Sequence, residues 1–340
     1  MLMEHAERIG LSDLLAVNFL WKGEEMKEEY TKEEYTARTL QLRQSLPLDM
    51  KIKFSERRIK EWYNAHSGQV YVSFSGGKDS TVLLDLVRSL YPDVPAVFAD
   101  TGLEYPEIRE FVRTIDNVVW VKPKMSFRDV IRLYGLPMIS KNVAYYIEQV
   151  RSLRERGKTD TATYNLRMTG IKKDGTKASS HSVIPKKWKP LLESDIRVSA
   201  KCCDVMKKEP IKRYAKETGR VSIQGIMASE GASRSKTYQL HGCNAFNLKE
   251  PQSRPIIFWT EDDIWEYINT KNTPYSCIYD MGEKRTGCVF CMFGCHLEKG
   301  ENRFQRMAKS HPKLWRYCME KLELKKALDF IGVDAGEVAS

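Results

Sequence analysis

Val70-Tyr-Val-Ser-Phe-Ser-Gly-Gly-Lys-Asp-Ser-Thr-Val-Leu-Leu-Asp-Leu-Val87 is a short β-branched and aromatic run, a glycine turn, and then apolar residues at helical length and spacing. That order predicts a strand, a loop and a helix. Outward from it, Pro95–Ala99 reads as a second strand ending at Asp100, Pro106–Ile115 as a helix and Val118–Val121 as a third strand. Phe127–Leu133 then reads as a further helix, and the pattern resumes with Val221–Gly225 as a later strand. Strands alternating with helices predict an α/β fold, a Rossmann-like doubly wound parallel sheet. Upstream, the first fifty or so residues read as helical, with no Gly or Pro between Lys27 and Pro47 and with the charge-rich Glu24–Glu34 as a solvated face. Ser55 is the expected N-cap of the helix that leads into the first strand. Downstream of Trp259, Glu261–Ile268 reads as a helix, a cysteine cluster follows, and a last helix is expected from about Pro312 to Ile331.

The chain has 340 residues, 42% hydrophobic and 29% charged, which excludes disorder as its dominant state. No run of eighteen apolar residues exists, and Met1–Gly10 carries charges where a signal peptide would be apolar, so a cytoplasmic protein without a membrane partner is expected. The net charge of +10 favours polyanionic partners. Its distribution is uneven. Between Arg151 and Lys189 stand eleven Lys/Arg against three acids, so eight of the ten excess charges fall there. Gly, Ser and Thr, with Tyr164 and Trp188 interspersed, suit an inserted loop or hairpin lying along a phosphate backbone; the alternative is a solvated insertion with no ligand. Eight cysteines in a chain of this kind point to metal binding or catalysis rather than disulfides.

The loop Ser75, Gly76, Gly77, Lys78, Asp79, Ser80 sits where a strand hands over to a helix, so backbone N–H groups and the helix dipole converge on one anion site. It is no Walker A loop: the four-residue spacer between glycines is missing, and Asp follows the lysine. Cys202-Cys203 and Cys288-x-x-Cys291, with 84 residues between the pairs, form two close pairs of thiols that can hold one tetrahedral zinc or one 4Fe-4S cubane. Adjacent cysteines suit a single zinc tetrahedron poorly, because their side chains diverge. Cys295 is either an alternative ligand, a reactive thiol or a plain buried thiol. Cys243, Cys277, His241 and His296 fall into no ligand pattern.

Residues 75–80 match in full the Ser-Gly-Gly-x-Asp-Ser signature of the PP-loop superfamily, the adenine nucleotide alpha hydrolases, which the chain resembles. The resemblance narrows to the phosphoadenosine phosphosulfate (PAPS) reductase family in Asp100-Thr-Gly-Leu-Glu-Tyr-Pro-Glu107, in Gly225-Ile-Met-Ala-Ser-Glu-Gly-Ala-Ser-Arg234 and in Trp259–Ile268 followed by Thr273-Pro-Tyr275, covering roughly residues 55–310. Met227 departs from it, standing where the family arm carries arginine. The resemblance implies that Ser75, Gly76, Gly77, Lys78, Asp79 and Ser80 bind the phosphates of an adenine nucleotide. Asp100 would position a metal-phosphate or a substrate hydroxyl, or else only cap the following helix; Arg234 would neutralise charge in the transition state, or else be a surface ion-pair residue. The tandem cysteines with their flanks Ala200–Pro210 resemble the adenylyl-sulfate (APS) reductase branch, which implies a 4Fe-4S cluster on Cys202, Cys203, Cys288 and Cys291. The expected division is a helical segment (1–54), a nucleotide-binding α/β domain (55–260) with the insertion 151–189, and a C-terminal helical iron-sulfur region (261–340).

Three activities follow from these readings. A sulfonucleotide reductase would use a mobile cysteine near the chain end as nucleophile; here the last cysteine is Cys318. An ATP pyrophosphatase of nucleic-acid thiolation or phosphorothioation would adenylate a substrate oxygen, release pyrophosphate, and let sulfur displace AMP. That reading absorbs the basic insertion and is the expectation here. It brings with it ATP, Mg2+, a nucleic acid, a sulfur-donor protein such as a cysteine desulfurase, and a second copy of the chain as a homodimer. The third reading is a nucleotide- and cluster-binding module without turnover.

Overall fold

The structure, a computed structural model, describes residues 36–338. The charged stretch Glu24–Glu34 and most of the expected helical segment 1–54 lie outside the described residues. In chain order the first half contains α1 (Ala37–Gln44), α2 (Leu48–Ala65), β1 (Val70–Phe74), α3 (Lys78–Leu90), β2 (Ala96–Ala99), α4 (Pro106–Arg113), β3 (Val118–Val121), α5 (Phe127–Tyr134), β4 (Met138–Ile139), α6 (Lys141–Glu155) and α7 (Ala162–Thr169). The second half contains α8 (Glu209–Thr218), β5 (Val221–Gln224), α9 (Ala232–His241), β6 (Asn244–Ala245), β7 (Gln252–Ser253), α10 (Glu261–Lys271), β8 (Met292–Phe293), α11 (Arg303–Ser310), α12 (Pro312–Arg316) and α13 (Leu324–Phe330).

Six strands form one sheet in the order β3-β2-β1-β5-β7-β6, parallel except for the β6–β7 pair. The Rossmann-like α/β architecture is the expected one. β1 and β2 are central and covered on both faces, so Val70, Val72, Ala96, Val97 and Phe98 are all buried, as continuous apolar runs in parallel sheets require. Because β2 lies on one side of β1 and β5 on the other, the chain reverses its direction of winding at β1. The loops leaving β1 and β5 therefore flank the crevice where open α/β sheets bind ligands. A separate two-stranded parallel sheet pairs β4 with β8. No helix among the described residues is long and apolar enough to cross a membrane.

Three expectations need correction. Ser55 is no N-cap: α2 begins at Leu48 after Pro47, and its buried face is Leu48, Lys51, Ser55, Ile59 and Trp62. The Ser55 hydroxyl donates to the Pro255 carbonyl (2.9 Å) and accepts from Trp259 Nε1 (3.0 Å). One turn earlier, buried Lys51 reaches both carboxylate oxygens of Asp263, at 2.7 and 2.6 Å, a pair whose breaking costs about 3–5 kcal/mol. The expected division at 54/55 thus falls inside a helix that is fastened to the start of α10, and α10 packs against α2 and α3. Nor is the last helix continuous. It breaks after Arg316 into a π-helical turn, Tyr317–Lys321, and Glu323 takes φ +55° before α13 begins. The insertion, finally, is partly helical: the end of α6, α7, a tight turn closed by an antiparallel bridge between Ile171 and Lys177, and a 3₁₀ helix over Lys186–Leu192.

Candidate nucleotide and thiol site

The glycine loop is built by close approach. Gly76 has φ +73°, and a Cβ there would lie 2.8 Å from the methyls of both Ile108 and Val112 on α4, so conformation and space both exclude a side chain. Gly77 is the N-cap of α3, and a Cβ on it would stand 2.6 Å from Thr286 Oγ1. The Ser75 and Ser80 hydroxyls are 3.0 Å apart, and Ser80 and Thr81 donate to the Gly77 carbonyl at 2.8 and 3.1 Å, which fixes the turn. Gly225, at the end of β5, packs against the first turn of α3: its Cβ would meet the Asp79 carbonyl oxygen at 3.1 Å. The two loops of the crevice are thereby in contact.

Charge gathers at this helix N-terminus. Lys78 is buried, its ammonium 3.2 Å from Asp79 Oδ1 and 3.3 Å from Glu261 Oε1. Burial alone would lower its pKa, but Asp79, Glu261 and Tyr279 together outweigh burial and raise it, so the ammonium stays charged. Asp79 is pushed above the usual carboxylate range by burial, against the pull of Lys78 and, more weakly, Arg234. Arg234, on α9, pairs with Glu230, whose other contact is the Met227 N–H at 3.1 Å. Its pKa is lowered by burial and then by Arg285, while Asp79 acts in the opposite sense. Lys78, Asp79, Arg234 and Arg285 are therefore electrostatic neighbours around one loop. Met227 is buried, so the departure from the family arm places a thioether in the core rather than a cation at the site.

Asp100 leaves the end of β2 buried, its Oδ2 accepting from Arg109 Nη2 at 3.0 Å and its Oδ1 buried without a partner among the described residues. It does not cap α4, whose N-cap is Tyr105. Four residues on, buried Glu104 accepts from Thr101 N–H and hydroxyl at 3.2 and 2.7 Å. Lys207 Nζ lies 3.8 Å from Glu104 and within electrostatic reach of Cys288. Burial would lower the Lys207 pKa, but Cys288 and Glu104 raise it above the ordinary lysine range.

Cys202, Cys203, Cys288 and Cys291 lie within electrostatic reach of one another. Cys202 and Cys203 open the helical segment that widens into the π-helical turn Asp204–Lys208, and Cys288 and Cys291 close a turn through the Cys291 N–H to the Cys288 carbonyl at 3.1 Å. The Cys202 thiol is pushed up by burial and then by Cys288, Cys203 and Cys291. Burial pushes Cys288 up to about 11 and raises Cys291 as well. All eight cysteines are free thiols, and among the described residues no group of three or more His, Cys, Asp or Glu side chains is placed so as to hold a metal ion. Cys295 is a buried thiol donating to the Met292 carbonyl at 3.1 Å, and Cys318 is fully buried.

Sequence reasoning missed the segment that joins the two halves of the site. The Tyr279 hydroxyl accepts the Lys78 N–H at 2.8 Å and lies 3.2 Å from Thr286 Oγ1, over Gly77. Val289 N–H donates to the Leu103 carbonyl at 2.8 Å. Only Gly287 stands between Thr286 at the glycine loop and Cys288 among the thiols, roughly 7 Å of chain at most. Tyr279, Arg285 and Thr286 lie outside any motif, and Glu104 and Lys207 fall inside the stretches Asp100–Glu107 and Ala200–Pro210 without being singled out there; only closeness in sequence to Asp100 and to the cysteine pairs could have drawn attention to them.

The chain resembles several known proteins. An uncharacterized protein of Methanocaldococcus jannaschii is 28% identical over 261 residues, 76% of this chain and 42% of its own. A second from that organism is 26% identical and 51% covered, so the chain spans about half the length of these two relatives. The adenosine 5'-phosphosulfate reductase of Staphylococcus epidermidis is 25% identical over 236 residues, 68% of this chain and 74% of the relative. Among solved structures, the phosphoadenylyl-sulfate reductase of Candida auris superposes with a TM-score of 0.41 at 16% identity, over 72% of this chain and 96% of that one. The U34-tRNA thiolase of Methanococcus maripaludis with its [4Fe-4S] cluster gives 0.35 at 15%, over 86% and 84%. The family model for the phosphoadenosine phosphosulfate reductase domain matches residues 69–130 and 136–293, which take in the glycine loop, Asp100, Arg234 and all four clustered thiols. More than half of the chain is matched, and it belongs to the phosphoadenosine phosphosulfate reductase domain family.

Proposed function

We propose that this chain is an adenylating ATP pyrophosphatase that activates a nucleic acid for sulfur transfer. The observation that carries the reading is the mixture of charges at one helix N-terminus: Lys78 stands 3.2 Å from the half-buried Asp79 carboxylate, Arg234 and Arg285 lie within electrostatic reach, and Asp100 presents an unpartnered buried oxygen at the neighbouring strand end. Cations alone would serve a bare sulfate or phosphate. A magnesium polyphosphate also calls for carboxylate oxygens. Asp79 and Asp100 fit that role, and the ion would supply charge neutralisation on the phosphates.

In this reading Ser75–Ser80 grip the β- and γ-phosphates, and a substrate oxygen attacks the α-phosphorus. The bond from that phosphorus to the bridging oxygen breaks, and pyrophosphate leaves with the electron pair. Lys78 and Arg234 hold the departing charge. A sulfur nucleophile, delivered by a partner such as a cysteine desulfurase, then displaces AMP. Cys202, Cys203, Cys288 and Cys291 are the donor set for a 4Fe-4S cluster, which would supply a site for sulfur beside the nucleotide; four mutually close thiols with Lys207 at one sulfur suit an anionic thiolate cluster. The exposed lysines of the insertion would hold the polynucleotide.

A second reading, reduction of a sulfonucleotide, is favoured by the 25% identity to the staphylococcal reductase over 68% of this chain. Sulfite release from APS and PAPS, each with thioredoxin and anaerobically, separates the two. The proposal expects little sulfite, and robust sulfite production overturns it.

A further inference from the structure

We infer that an open concavity between α5, residues 195–197 and the start of α13 is a second phosphodiester-binding site, continuous with the basic insertion and engaged by the same polynucleotide. The inference rests on the nucleic-acid reading above and extends it to a surface outside the nucleotide and thiol site. The concavity encloses about 500 Å³, within the roughly 300–1,000 Å³ usual for ligand sites. Its floor is apolar, with Leu136, Ile196, Leu322 and Ala327 among its residues, and its rim carries Arg128, Arg132, Arg197, Lys321 and Lys326 against only two acids, Asp195 and Glu323.

The site is assembled rather than incidental. Arg128 and Arg132 are four apart on α5 and so share a side of it. Arg197 is brought to them by Gly135, whose φ is +111° and whose Cβ would lie 2.6 Å from the Arg197 carbonyl; only glycine permits that approach. Leu136 N–H then donates to the Arg197 carbonyl at 2.8 Å and locks the two segments together. Two rim cations have internal contacts, Lys326 with the Asp195 carboxylate and Arg197, at 3.5 Å, with the Arg132 carbonyl. Arg128, Arg132, Arg197 and Lys321 are exposed and have no carboxylate partner among the described residues.

Chain path and fastening tie this rim to the insertion. Arg151, inside the insertion, donates to the carbonyls of Leu191, Ser194 (2.7 Å) and Ile196 (2.9 Å), so the segment that carries Arg197 is clamped to α6. Lys187 and Arg197 are ten residues apart along a stretch that begins in the 3₁₀ helix Lys186–Leu192, which rises only about 2 Å per residue, so the two sets of cations lie well within roughly 34 Å, one turn of a duplex. Several cations spread along one surface, with an apolar floor for a sugar or base face, match a polynucleotide; a single small anion would use only part of them.

The test measures binding of the full chain to a fluorescein-labelled DNA duplex and to a labelled structured RNA across a salt series. Combining Arg128→Gln, Arg132→Gln and Arg197→Gln should flatten the slope of log affinity against log salt on duplex DNA by about 2.7, the value for three released counterions. Pyrophosphate release from ATP without nucleic acid should be unchanged. Glu323→Gln should act in the opposite direction, tightening binding, which a folding defect cannot mimic. If the parent binds and both variants bind like it, the concavity is no phosphodiester site while the nucleic-acid reading stands. If the parent binds neither probe, that reading falls and takes this inference with it. Saturable binding of inorganic pyrophosphate, abolished by the triple variant while nucleic-acid binding is untouched, would assign the concavity to a free anion and overturn the proposal.

Discussion

The glycine loop and the insertion at 151–189 are both anion-handling regions by composition, yet they differ in how much of that composition reaches solvent. In the loop each residue type of the motif serves the geometry. Gly76 and Gly77 admit neighbours that any Cβ would displace, Ser80 and Thr81 fix the turn, and at the helix end Lys78 sits buried beside the half-buried Asp79. In the insertion the eleven cations divide. Arg151 is used on three carbonyls, Arg167 on Gln149 and the Ser182 carbonyl beneath the Tyr146 ring, Lys189 on the Met168 carbonyl, and Arg154 on Glu193. Arg156 is used on the Ser152 carbonyl, and Lys158, Lys172, Lys173, Lys177, Lys186 and Lys187 remain exposed and without an ion pair among the described residues. A motif specifies positions, whereas a charge count does not distinguish a structural arginine from a ligand-binding lysine.

The largest effects are expected in the thiol pocket. Anaerobically purified protein should be brown with about four irons per chain, and Cys202→Ala, Cys203→Ala, Cys288→Ala or Cys291→Ala should each lose them; stoichiometric zinc in a colourless, active preparation would remove the cluster from the account. Next comes the loop. Lys78→Ala and Asp79→Ala should each lower pyrophosphate release by about 10²–10³-fold with unchanged circular dichroism, and parental turnover in either would dissociate the motif from the chemistry.

The division within the insertion sharpens the comparison further. Replacing Lys172, Lys173, Lys186 and Lys187 with Gln should flatten the salt dependence of duplex binding by about 3.6 and leave the urea midpoint nearly in place. Arg151→Gln should do the reverse, costing about 2–4 kcal/mol of stability through its lost carbonyl contacts with little change in salt slope. Equal effects of the two changes on binding would erase the distinction between structural and ligand-binding cations. The smallest effect belongs to Tyr279→Phe, which removes one acceptor from the Lys78 N–H and should alter the KM for ATP by about fivefold or less.

Legibility follows local pattern. β1 and β3 fall on the residues expected of them, Val70–Phe74 and Val118–Val121, and β2 nearly so, because parallel strands are short apolar runs bounded by turns. The start of α2 escapes a local reading because Ser55 suits a cap, while its role is set by Pro255 and Trp259, two hundred residues away. The last helix reads as unbroken since Leu, Trp and Met continue at helical spacing; the π-helical turn and Glu323 interrupt it where Cys318, Met319 and Leu322 go into the core and Trp315 Nε1 bonds the Ala335 carbonyl. At the site, the loop and the thiols are visible as motifs. Tyr279, Thr286, Glu104 and Lys207, which connect them, are not, because contacts across folded loops leave no periodic signal.

The central claim is that the loop cleaves ATP between its α- and β-phosphates. Anaerobic incubation of the full chain with α-phosphate-labelled ATP, Mg2+ and nucleic acid, with products resolved as adenylated substrate, AMP, ADP and pyrophosphate, tests it directly. The account predicts pyrophosphate in step with AMP or adenylated nucleic acid, stimulated by nucleic acid and lost in Asp79→Ala. Production of ADP and phosphate, or no cleavage of ATP alongside rapid sulfite release from a sulfonucleotide, would contradict it.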